Sequence, residues 1–417
     1  MAGGLMQLVA YGAQDVYLTG NPEVTFYQAK YKRHTNFAME NIEQTVNGTA
    51  ANSGRVSVTV ARNGDLVGDM YLELESAIAA TATHTDGDCN WVAERAVSSV
   101  ELSIGGQRID KHYQKWWRLY SELYLDEAKK ATWGKMTTAA DGSTVYLPLV
   151  FFFNRNPGLY LPLIALQYHE VRIDIDLAAD FTTFLNASVF KVWANYVYLD
   201  TEERRRFAQK GHEYLIEQVQ HTGTDTVDPS ATKQVRLSYN HPVKELVWCF
   251  SNTAAKSSLW NFTKNNLVTE VALQSNPSDQ THVDSNCYVP ISNLGTPLFS
   301  TELSTAAYTE EASGQLETFK LVLNGQDRFK EQKGKYFNQV QAYNHHSGCP
   351  APGVYSYSFA LKPEEHQPTG TCNFSRIDNA QVAVKMAAGT ATSMHMFATN
   401  YNVLRIQSGM GGLAFSN

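Results

Sequence analysis

The chain has 417 residues and carries 34 Lys and Arg against 41 Asp and Glu, a formal net charge of −7. A protein that binds nucleic acid through its phosphates needs a basic surface, so this balance argues against direct nucleic-acid binding. Charged residues make up 18% of the chain and hydrophobic residues 43%. Disordered proteins have the opposite composition, so we expect a folded chain of about two or three domains.

The cysteines and the N-terminal sequence indicate a protein that keeps its thiols reduced and is not secreted. The cysteine count is odd and no two cysteines are close in sequence, which argues against a disulfide framework and a zinc site. Residues 1–29 contain no Lys or Arg, so the basic region of a signal peptide is missing. No apolar run approaches the roughly 18 residues of a membrane span. We expect a soluble protein that is not secreted by the usual route.

The first 21 residues are small, apolar and uncharged apart from Asp15. They lack the period of a strong amphipathic helix, although Gln14–Leu18 is compatible with a short one. Asn21-Pro22 then gives a turn signal. We predict an N-terminal arm, residues 1–26, that becomes ordered against another surface.

Most of the remaining sequence alternates polar and apolar side chains, the period of a strand that is half-buried in an antiparallel sheet. Arg55–Val60 and Val171–Leu177 show this alternation best. Lys111–Leu125 instead carries apolar residues at helical spacing and predicts a helix, with Trp116 and Trp117 packed in or beside a sandwich. The other strand candidates are 37–46, 69–75, 97–104, 145–153, 189–199, 214–220, 233–239, 244–250, 316–323, 353–361, 380–386 and 393–406.

Two short motifs occur once in each half of the chain, in the same order. Ile42–Gln44 recurs as Ile216–Gln218, and Glu101–Gln107 (ELSIGGQ) resembles Lys320–Gln326 (KLVLNGQ). The preserved order favours a duplicated domain. We predict an all-β protein of two tandem eight-stranded antiparallel jelly rolls with short helices in the loops. The charged run Thr201–Gly211 is the expected boundary.

The sequence contains no recognisable catalytic motif. The phosphate-binding loop, the H-E-x-x-H zinc motif and the G-x-S-x-G nucleophile motif are all missing. Gly3-Gly4 and Gly409–Gly412 are interpreted as flexible termini. For the adjacent histidines His345 and His346 we prefer an exposed loop to a metal site, because no third ligand is near in sequence. We predict no catalytic, cofactor-binding or metal-binding residue.

Paired carboxylates keep one enzymatic alternative open. Asp174 and Asp176 lie on one face of a predicted strand, as do Glu73 and Glu75. Two such groups could serve a glycosidase, and aromatic residues could bind sugars. A solvated strand face is the preferred interpretation, because charged residues are rarely buried.

Several long runs, in order along the whole chain, are typical of one family: Gly3–Pro22, Tyr31–Glu40, Ile104–Tyr113, Leu161–Val171, Phe207–Gln209, His212–Gln218, Leu323–Phe329, Gly370–Asn379 and Asn402–Gly412. In these runs the chain resembles the major capsid proteins of nucleocytoplasmic large DNA viruses, nearest to the algal-virus branch. It departs from them mainly at 78–92, 126–143, 224–232, 252–315 and 387–393, which we interpret as variable surface loops.

The resemblance implies a non-enzymatic double jelly roll of which three copies form a capsomer with near-hexagonal outline in an icosahedral virion. It implies an arm (1–26), a first jelly roll (27–210) and a second (211–417). The arm would lie at the base of the shell, so Leu5, Tyr11, Gln14 and Tyr17 are candidate lattice contacts. Minor capsid and vertex proteins, and indirect contact with an internal membrane, are the implied partners. Assembly would take place in the host cytoplasm.

Glycosylation is a further expectation from the resemblance, because family members often carry glycans. The chain has four candidate asparagines in N-x-[ST] sequons, namely Asn47, Asn186, Asn261 and Asn373. Two alternatives stay open at this point: a carbohydrate-binding or glycoside-cleaving β-sandwich, and a minor capsid paralogue used at special positions of the shell.

Overall fold

A computed structural model describes residues 3–26, 31–77, 91–138, 142–228, 231–251, 262, 315–351, 353–387 and 392–415. The chain divides into a small unit, Met1–Phe37, and a large one, Ala38–Asn417. Among the described residues, no helix has the length and apolarity that crossing a membrane requires.

The first half of the large unit is built from short antiparallel strands. In several of them buried side chains alternate with half-buried ones, as in β3 and β4. The strands are β1 (Phe37–Gln44), β2 (Val46–Asn47), β3 (Arg55–Thr59), β4 (Leu66–Ser76), β5 (Val97–Ile104), β6 (Gln107–Tyr113), β7 (Thr144–Pro148), β8 (Leu161–Pro162), β9 (Val171–Leu177) and β10 (Leu185–Leu199).

The second half repeats this construction. Its strands are β11 (His212–Val227), β12 (Lys233–Leu237), β13 (Pro242–Ser251), β14 (Leu316–Leu323), β15 (Gln326–Asp327), β16 (Gln332–Lys333), β17 (Val354–Ser358), β18 (Cys372–Asn373), β19 (Ala380–Met386), β20 (Thr392–Gln407) and β21 (Met410–Leu413).

The two halves have the same strand order. In the first, one sheet runs β1-β10-β4-β7 and the other β2-β3-β9-β5-β6. In the second, β11-β20-β13-β17 faces β12-β19-β14-β15. In each half the first long strand, β1 or β11, pairs with the last long strand, β10 or β20, which is the jelly-roll arrangement. The predicted double jelly roll is therefore confirmed, and we call the two halves the first and second jelly rolls.

Helices lie in the connections between strands and in the N-terminal unit. They are α1 (Gly3–Val9), α2 (Val16–Thr19), α3 (Gln114–Leu123), α4 (Glu127–Thr137), α5 (Phe152–Arg155), α6 (Phe181–Phe184), α7 (Thr201–Gln209) and α8 (Gln341–His345), with 3₁₀ turns at Val92–Arg95, Pro157–Leu159 and Phe374–Arg376 and a π-helical turn at Tyr336–Val340.

The duplicated motif Glu101–Gln107/Lys320–Gln326 forms the same hairpin in both jelly rolls. Gly105 and Gly106 turn the chain from β5 to β6 with φ of 57° and 81°. Asn324 and Gly325 turn it from β14 to β15 with φ of 50° and 79°. Positive φ at both central residues is the type I′ geometry that favours Gly and Asn. The motif therefore marks equivalent positions of the repeat.

Each jelly roll has its own apolar core. Val56, Leu72 and Ile173 are fully buried in the first, and Trp248 stacks on Phe319 with ring centroids 4.3 Å apart in the second. Such an aromatic pair adds about 0.5–1.5 kcal/mol beyond the burial of its area. The first core continues into the contact with the second jelly roll, so the two are packed together and not strung on a linker.

Several sequence predictions need correction. The helix expected over 111–125 begins only at Gln114, because β6 occupies the preceding residues. The region 126–143, expected to be a loop, contains α4. The Asp126 carboxylate caps the N-terminus of this helix by accepting a hydrogen bond from the NH of Lys129 at 2.8 Å. Gly409–Gly412 is not a flexible terminus, because β21 pairs with β20 there. The stretch 252–315 lies, apart from Phe262 and Gln315, outside the described residues.

The N-terminal unit contains two short helices and exposes its apolar side chains. The short helix expected at Gln14–Leu18 is found at Val16–Thr19, whereas α1 was not predicted. Neither helix buries any residue. Leu5, Tyr11 and Tyr17 are 52%, 60% and 92% exposed. A segment with this much exposed apolar surface is typical of one that is covered by a partner.

Candidate functional site: the interface between the two jelly rolls

The edges of two sheets meet where the first jelly roll contacts the second. The Asp110 carboxylate of β6 accepts a hydrogen bond from the backbone NH of Val219 in β11 at 3.0 Å. The Gln218 side-chain amide donates to the backbone carbonyl of Ile109. These bonds satisfy polar groups at strand edges that would otherwise lack partners, and they fix the register of one jelly roll against the other.

Aromatic side chains extend this contact. Trp116 of α3 is 1% exposed and lies 5.7 Å, centroid to centroid, from Phe397 of β20. Tyr113 packs edge-on against His221 of β11 at 4.9 Å. The prediction that Trp116 packs in or beside a sandwich is confirmed, and its burial leaves no exposed platform on which a sugar could stack.

A buried carboxylate, Glu217 of β11, lies at the centre of the interface. Its Oε2 atom is 2.9 Å from Arg155 Nη2, which α5 of the first jelly roll supplies, and 2.7 Å from Lys244 Nζ of β13. Lys244 is fully buried and lies 5.7 Å from the ring of Tyr124 and 5.6 Å from that of Tyr401. Both rings present their electron-rich faces to the ammonium group.

The local fold places Arg155 opposite Glu217. The Asn154 side chain accepts from the NH of Phe151 at 3.2 Å and donates to the carbonyl of Gly68 at 2.8 Å, which ties α5 to β4. Burial alone would raise the pKa of Glu217, but Arg155 and Lys244 outweigh it and hold the pKa well below its usual range. Glu217 is therefore ionised, and it forms an ion pair with each of the two cations.

A second buried pair connects Glu245 of β13 to His346, which follows α8. His346 Nε2 lies 2.5 Å from Glu245 Oε1, and its Nδ1 lies 3.3 Å from Glu364 Oε1. The Tyr124 hydroxyl donates to the other Glu245 oxygen at 2.6 Å. Burial alone would lower the pKa of His346, but Glu245 and Glu364 outweigh it and raise the pKa to about 10. His346 is therefore an imidazolium with both nitrogens donating.

Together the two groups comprise three carboxylates, Glu217, Glu245 and Glu364, and three cations, Arg155, Lys244 and protonated His346. Beside these six residues, the His366 Nδ1 atom lies 3.4 Å from Glu217 Oε1. Burying charge is tolerated when it is paired and hydrogen-bonded. Neutral His346 would leave the cluster with an uncompensated carboxylate. We call these six residues the interface charge cluster.

The helical connection between β6 and β7 holds the second jelly roll at another point. Glu122 of α3 lies 2.8 Å from Lys130 Nζ of α4, and it accepts from the backbone NH of Ala351 at 3.1 Å. The Lys130 ammonium also donates to the carbonyl of Cys349 at 2.6 Å. Burial alone would raise the pKa of Glu122, but Lys130 and Arg118 outweigh it and lower the pKa. The helices therefore bind the segment just after α8.

The C-terminal hairpin β20–β21 binds back onto the first jelly roll. The NH of Tyr168 donates to the carbonyl of Gly409 at 2.9 Å. His169 Nδ1 lies 2.9 Å from the carbonyl of Gly411, and the NH of Leu413 donates to the Gln107 side chain at 3.2 Å. The two jelly rolls are thus held together by edge, aromatic, ionic and hairpin contacts, and they belong to one compact unit.

The carboxylates that suggested a glycosidase form ion pairs and hydrogen bonds on the sheet. Asp174 is 7% exposed, so the expected solvated face is wrong for this residue. It lies 3.3 Å from Arg55 and 2.8 Å from Arg172, and it accepts from the Ser57 hydroxyl at 2.7 Å. Burial alone would raise the pKa of Asp174, but these partners outweigh it and lower the pKa. This arrangement favours a structural ion-pair network.

The other pair, Glu73 and Glu75, is half-buried. Glu73 accepts from the Trp193 indole NH at 2.6 Å, and Glu75 accepts from the Asn186 amide at 2.8 Å. Within the described residues, no group of three or more His, Cys, Asp or Glu residues could hold a metal ion. His346 was expected on an exposed loop, but its side chain is fully buried and lies against Glu245.

The candidate glycosylation sites differ in accessibility. Asn47 and Asn373 are exposed, whereas Asn186 is half-buried and its amide is bonded to Glu75. Asn261 lies outside the described residues.

Sequence reasoning missed Glu217, Arg155, Lys244 and Glu245 altogether. The only signal was that Glu217 belongs to a duplicated motif.

Comparison with known proteins agrees with this architecture. A family model described as "Large eukaryotic DNA virus major capsid protein" matches residues 203–412, and one described as "Major capsid protein N-terminus" matches residues 25–200. The chain belongs to the family of major capsid proteins of large eukaryotic DNA viruses. It is a structural protein of the virion shell, and the glycosidase alternative is not favoured.

Individual relatives are similar over their full lengths. The chain is 44% identical to the major capsid protein of Paramecium bursaria Chlorella virus 1 and 41% identical to that of Pyramimonas orientalis virus, with 100% of each chain covered. The crystal structure of PBCV-1 VP54, fitted into a reconstruction of the virophage Sputnik, matches with a TM-score of 0.77 at 39% identity. That match covers 94% of this chain and 100% of VP54. The Faustovirus major capsid protein, at 12% identity and a TM-score of 0.68, shares the fold over 97% of this chain and 96% of its own.

Proposed function

We propose that three copies of this chain associate into a capsomer with a near-hexagonal outline, and that such capsomers tile an icosahedral viral shell. Three chains with two jelly rolls each present six similar units around a three-fold axis. Such a trimer approximates a hexagon only if the two jelly rolls keep a fixed angle. The observation that carries the proposal is the buried interface charge cluster, which fixes that angle within each chain.

The arm gives the capsomer a surface for its neighbours. We assign residues 1–26 to the arm, 27–210 to the first jelly-roll domain and 211–417 to the second. Leu5, Tyr11, Gln14 and Tyr17 are exposed on the arm, which supports their role as lattice contacts. Minor capsid and vertex proteins, and indirectly an internal membrane, are the proposed partners at the base. The net charge of −7 supports a protein that does not bind nucleic acid directly.

The chain acts in this proposal without catalysis. Its buried carboxylates are neutralised by Arg and Lys partners, which leaves them unsuited to proton transfer at neutral pH. We propose that it assembles in the host cytoplasm and that it carries glycans. Among the described sequons, Asn47 and Asn373 are the better candidates because both are exposed.

The oligomeric state of the purified full chain tests the proposal. We expect light scattering to give three times 46.5 kDa, and electron microscopy to show a three-fold block with a six-sided footprint. A stable monomer at high concentration would contradict the proposal. The abundance of the chain in purified particles separates a major from a minor capsid species. Hydrolysis of algal polysaccharide that is lost in Asp174→Asn would favour the glycosidase instead.

A further inference from the structure

One part of the interface between the jelly rolls contains stacked histidines instead of paired charges. His221 of β11 and His395 of β20 lie on neighbouring strands, with ring centroids 6.1 Å apart and ring planes 19° from parallel. Phe397 stacks on His221 at 4.5 Å, and Tyr113 of the first jelly roll packs edge-on against the same ring at 4.9 Å. We call these four side chains the histidine seam.

The hydrogen-bond partners of the two imidazoles are uncharged. His221 Nδ1 donates to the backbone carbonyl of Met396 at 2.8 Å, and His395 Nε2 lies 3.3 Å from the Ser251 hydroxyl. In the part of the chain that the structure describes, neither imidazole forms an ion pair with a carboxylate. In this respect both differ from His346 of the interface charge cluster, which lies between two carboxylates.

The titratable groups that neighbouring elements bring to the seam are cationic or neutral. From α3, the Lys115 ammonium acts on His395 and disfavours a second positive charge there. Cys249 lies opposite His395 in the β13–β20 register, and burial raises the pKa of its thiol to about 12, so the thiol is neutral. From β6, burial raises the pKa of Tyr113, and the Lys111 ammonium lies 5.6 Å from the Tyr113 ring. A proton added to either imidazole would therefore meet like charge.

A groove between β6 and β11 connects the seam to solvent. Its volume is about 490 Å³, and His221 and Tyr113 are among the residues that line it. Arg108 of β6 and His241, which precedes β13, add further basic side chains to its wall. His221 is half-buried, so a proton can reach it from the groove while the chain stays folded.

The carboxylates nearby already have other partners. Asp110 is the one carboxylate among the described residues that line the groove. Its Oδ1 atom accepts from the NH of Val219 at 3.0 Å, and its Oδ2 atom lies 2.9 Å from His112 Nε2. Glu101 of β5 pairs with Lys111 at 3.9 Å. Neither carboxylate forms an ion pair with a seam imidazole in the described structure, so neither would compensate a proton there.

We infer that the histidine seam is an acid-sensitive joint at which the two jelly rolls of one chain separate. Protonation of His221 and His395 places two positive charges on stacked rings beside Lys115, without a compensating carboxylate. Because Tyr113 and Lys115 belong to the first jelly roll, separation hydrates both imidazoles and removes the neighbouring cation. The interface charge cluster, which contains its own ionised carboxylates, continues to hold the jelly rolls together at its site.

The direction of the pKa shifts agrees with this geometry. Burial lowers the pKa of both imidazoles, and for His395 burial, Lys115 and His221 together lower it from 6.5 to about 3. A pKa that is lower in the closed state gives stability that is complete above the open-state value and is lost as the pH falls. With pKa values of about 3 closed and 6.5 open, His395 alone favours opening about 25-fold more at pH 5 than at pH 7.

Hydrogen exchange of the purified full chain tests the inference. The NH of Val219 donates to Asp110 across the interface, so the peptides that cover β6 and the middle of β11 report on opening. We expect their exchange, corrected for the intrinsic effect of pH, to rise at least about tenfold from pH 7 to pH 5. Exchange in α5, which contributes Arg155 to the interface charge cluster, should change by less than about twofold.

Histidine variants identify the titrating groups. In the double variant His221→Gln with His395→Gln, the rise in β6 and β11 should shrink to below about threefold, because neither side chain can be protonated. His212→Gln is the matched control on the same strand, since His212 stacks on Phe207 at 5.2 Å and bonds its carbonyl at 2.8 Å, away from the seam. It should keep the full rise. Circular dichroism at pH 7 checks that each variant is folded.

A second variant keeps the test decisive if the double variant does not fold. Lys115→Gln removes the cation beside His395 from the other side of the interface, so the pH at which the seam opens should fall. Equal corrected exchange at pH 7 and pH 5 in the unaltered chain would overturn the inference. A rise that includes α5 equally, or that persists in the double variant, would also do so. The seam lies within one chain, so these outcomes are independent of the proposed trimer.

Discussion

Arg155 Nη2 lies 2.9 Å from Glu217 Oε2, although the two residues belong to different jelly rolls. Lys244 approaches the same oxygen at 2.7 Å from within the second jelly roll. One carboxylate therefore forms an ion pair with a cation from each side of the interface. Because partial loss of such a cluster leaves buried charge unpaired, it penalises any change in the angle between the jelly rolls.

We expect Glu217→Ala to lower the free energy of unfolding by roughly 3–5 kcal/mol, the usual cost of removing one partner of a buried ion pair. Arg155 and Lys244 would then be buried without their carboxylate. Guanidinium unfolding of the full chain measures the loss.

The matched control is Glu213→Ala on the same strand. Glu213 pairs with Arg405 at 2.8 Å, but the two side chains are 61% and 56% exposed. Exposed pairs contribute about 0.2–1 kcal/mol, so this variant should be close to the unaltered chain. Equal losses in the two variants would mean that burial of Glu217 has no energetic consequence.

The His346–Glu245 pair predicts an alkaline loss of stability. The pKa of His346 is raised from its usual 6.5 to about 10 in the folded chain, because Glu245 and Glu364 outweigh burial. A raised pKa contributes stability that is complete below the unfolded value and is lost as pH rises through the folded one. The free energy of unfolding should therefore decline between about pH 6.5 and 10.

The variant His346→Gln isolates this effect. It should be less stable than the unaltered chain at pH 6 by roughly 3–5 kcal/mol, and the difference should shrink as the pH approaches 10. The control His345→Gln changes the neighbouring histidine, which bonds only the carbonyl of Leu361 at 3.0 Å among the described residues. It should keep the full alkaline decline. Parallel unfolding curves of His346→Gln and the unaltered chain from pH 6 to 10 would show that His346 is not protonated.

Period-two alternation predicted the strands well, because a strand with only one face on the core buries every second residue. It placed β3 and β9 almost residue for residue, and the duplicated motifs marked the repeat. Alternation also assigns Glu217 to an outward-facing position, but it does not show whether another part of the chain covers that position. Glu43, in the same motif, is exposed. Only the placement of the second jelly roll against the first decides which of the two is buried.

The remaining errors have local physical causes. His346 belongs to a short polar segment, and nothing near it in sequence reveals Glu245, which is distant along the chain. The composition of Gly409–Gly412 alone predicts a flexible terminus. Ser408 and Gly409, with φ of 53° and 80°, in fact form the turn of the C-terminal hairpin. An S-G pair next to a strong strand is a turn signal, and it was available in the sequence.

The equivalent hairpins predict different tolerance to substitution. Gly105 and Asn324 both have positive φ, but a Cβ atom at Gly105 would collide with the imidazole ring of His169, which bonds the C-terminal hairpin. We expect Gly105→Asn to lower the free energy of unfolding by about 1–3 kcal/mol through overpacking. Gly106→Asn places the same side chain at a positive φ of 81° but with open space around its Cβ, so it should cost less. Thermal unfolding measures both, and a greater loss for Gly106→Asn would contradict the steric explanation.

Removal of the arm should separate folding from shell assembly. Neither α1 nor α2 buries a residue, so deletion of residues 1–26 should change the free energy of unfolding by less than about 0.5 kcal/mol. The exposed apolar residues Leu5, Tyr11 and Tyr17 would be lost with it. We therefore expect the shortened chain to form trimers but not shells, as seen by sedimentation and electron microscopy. Tyr11→Ser with Tyr17→Ser should reproduce the assembly defect in the full-length chain. If the shortened chain still forms shells, the arm is not a lattice contact, and capsomers must associate through the flanks of the jelly rolls alone.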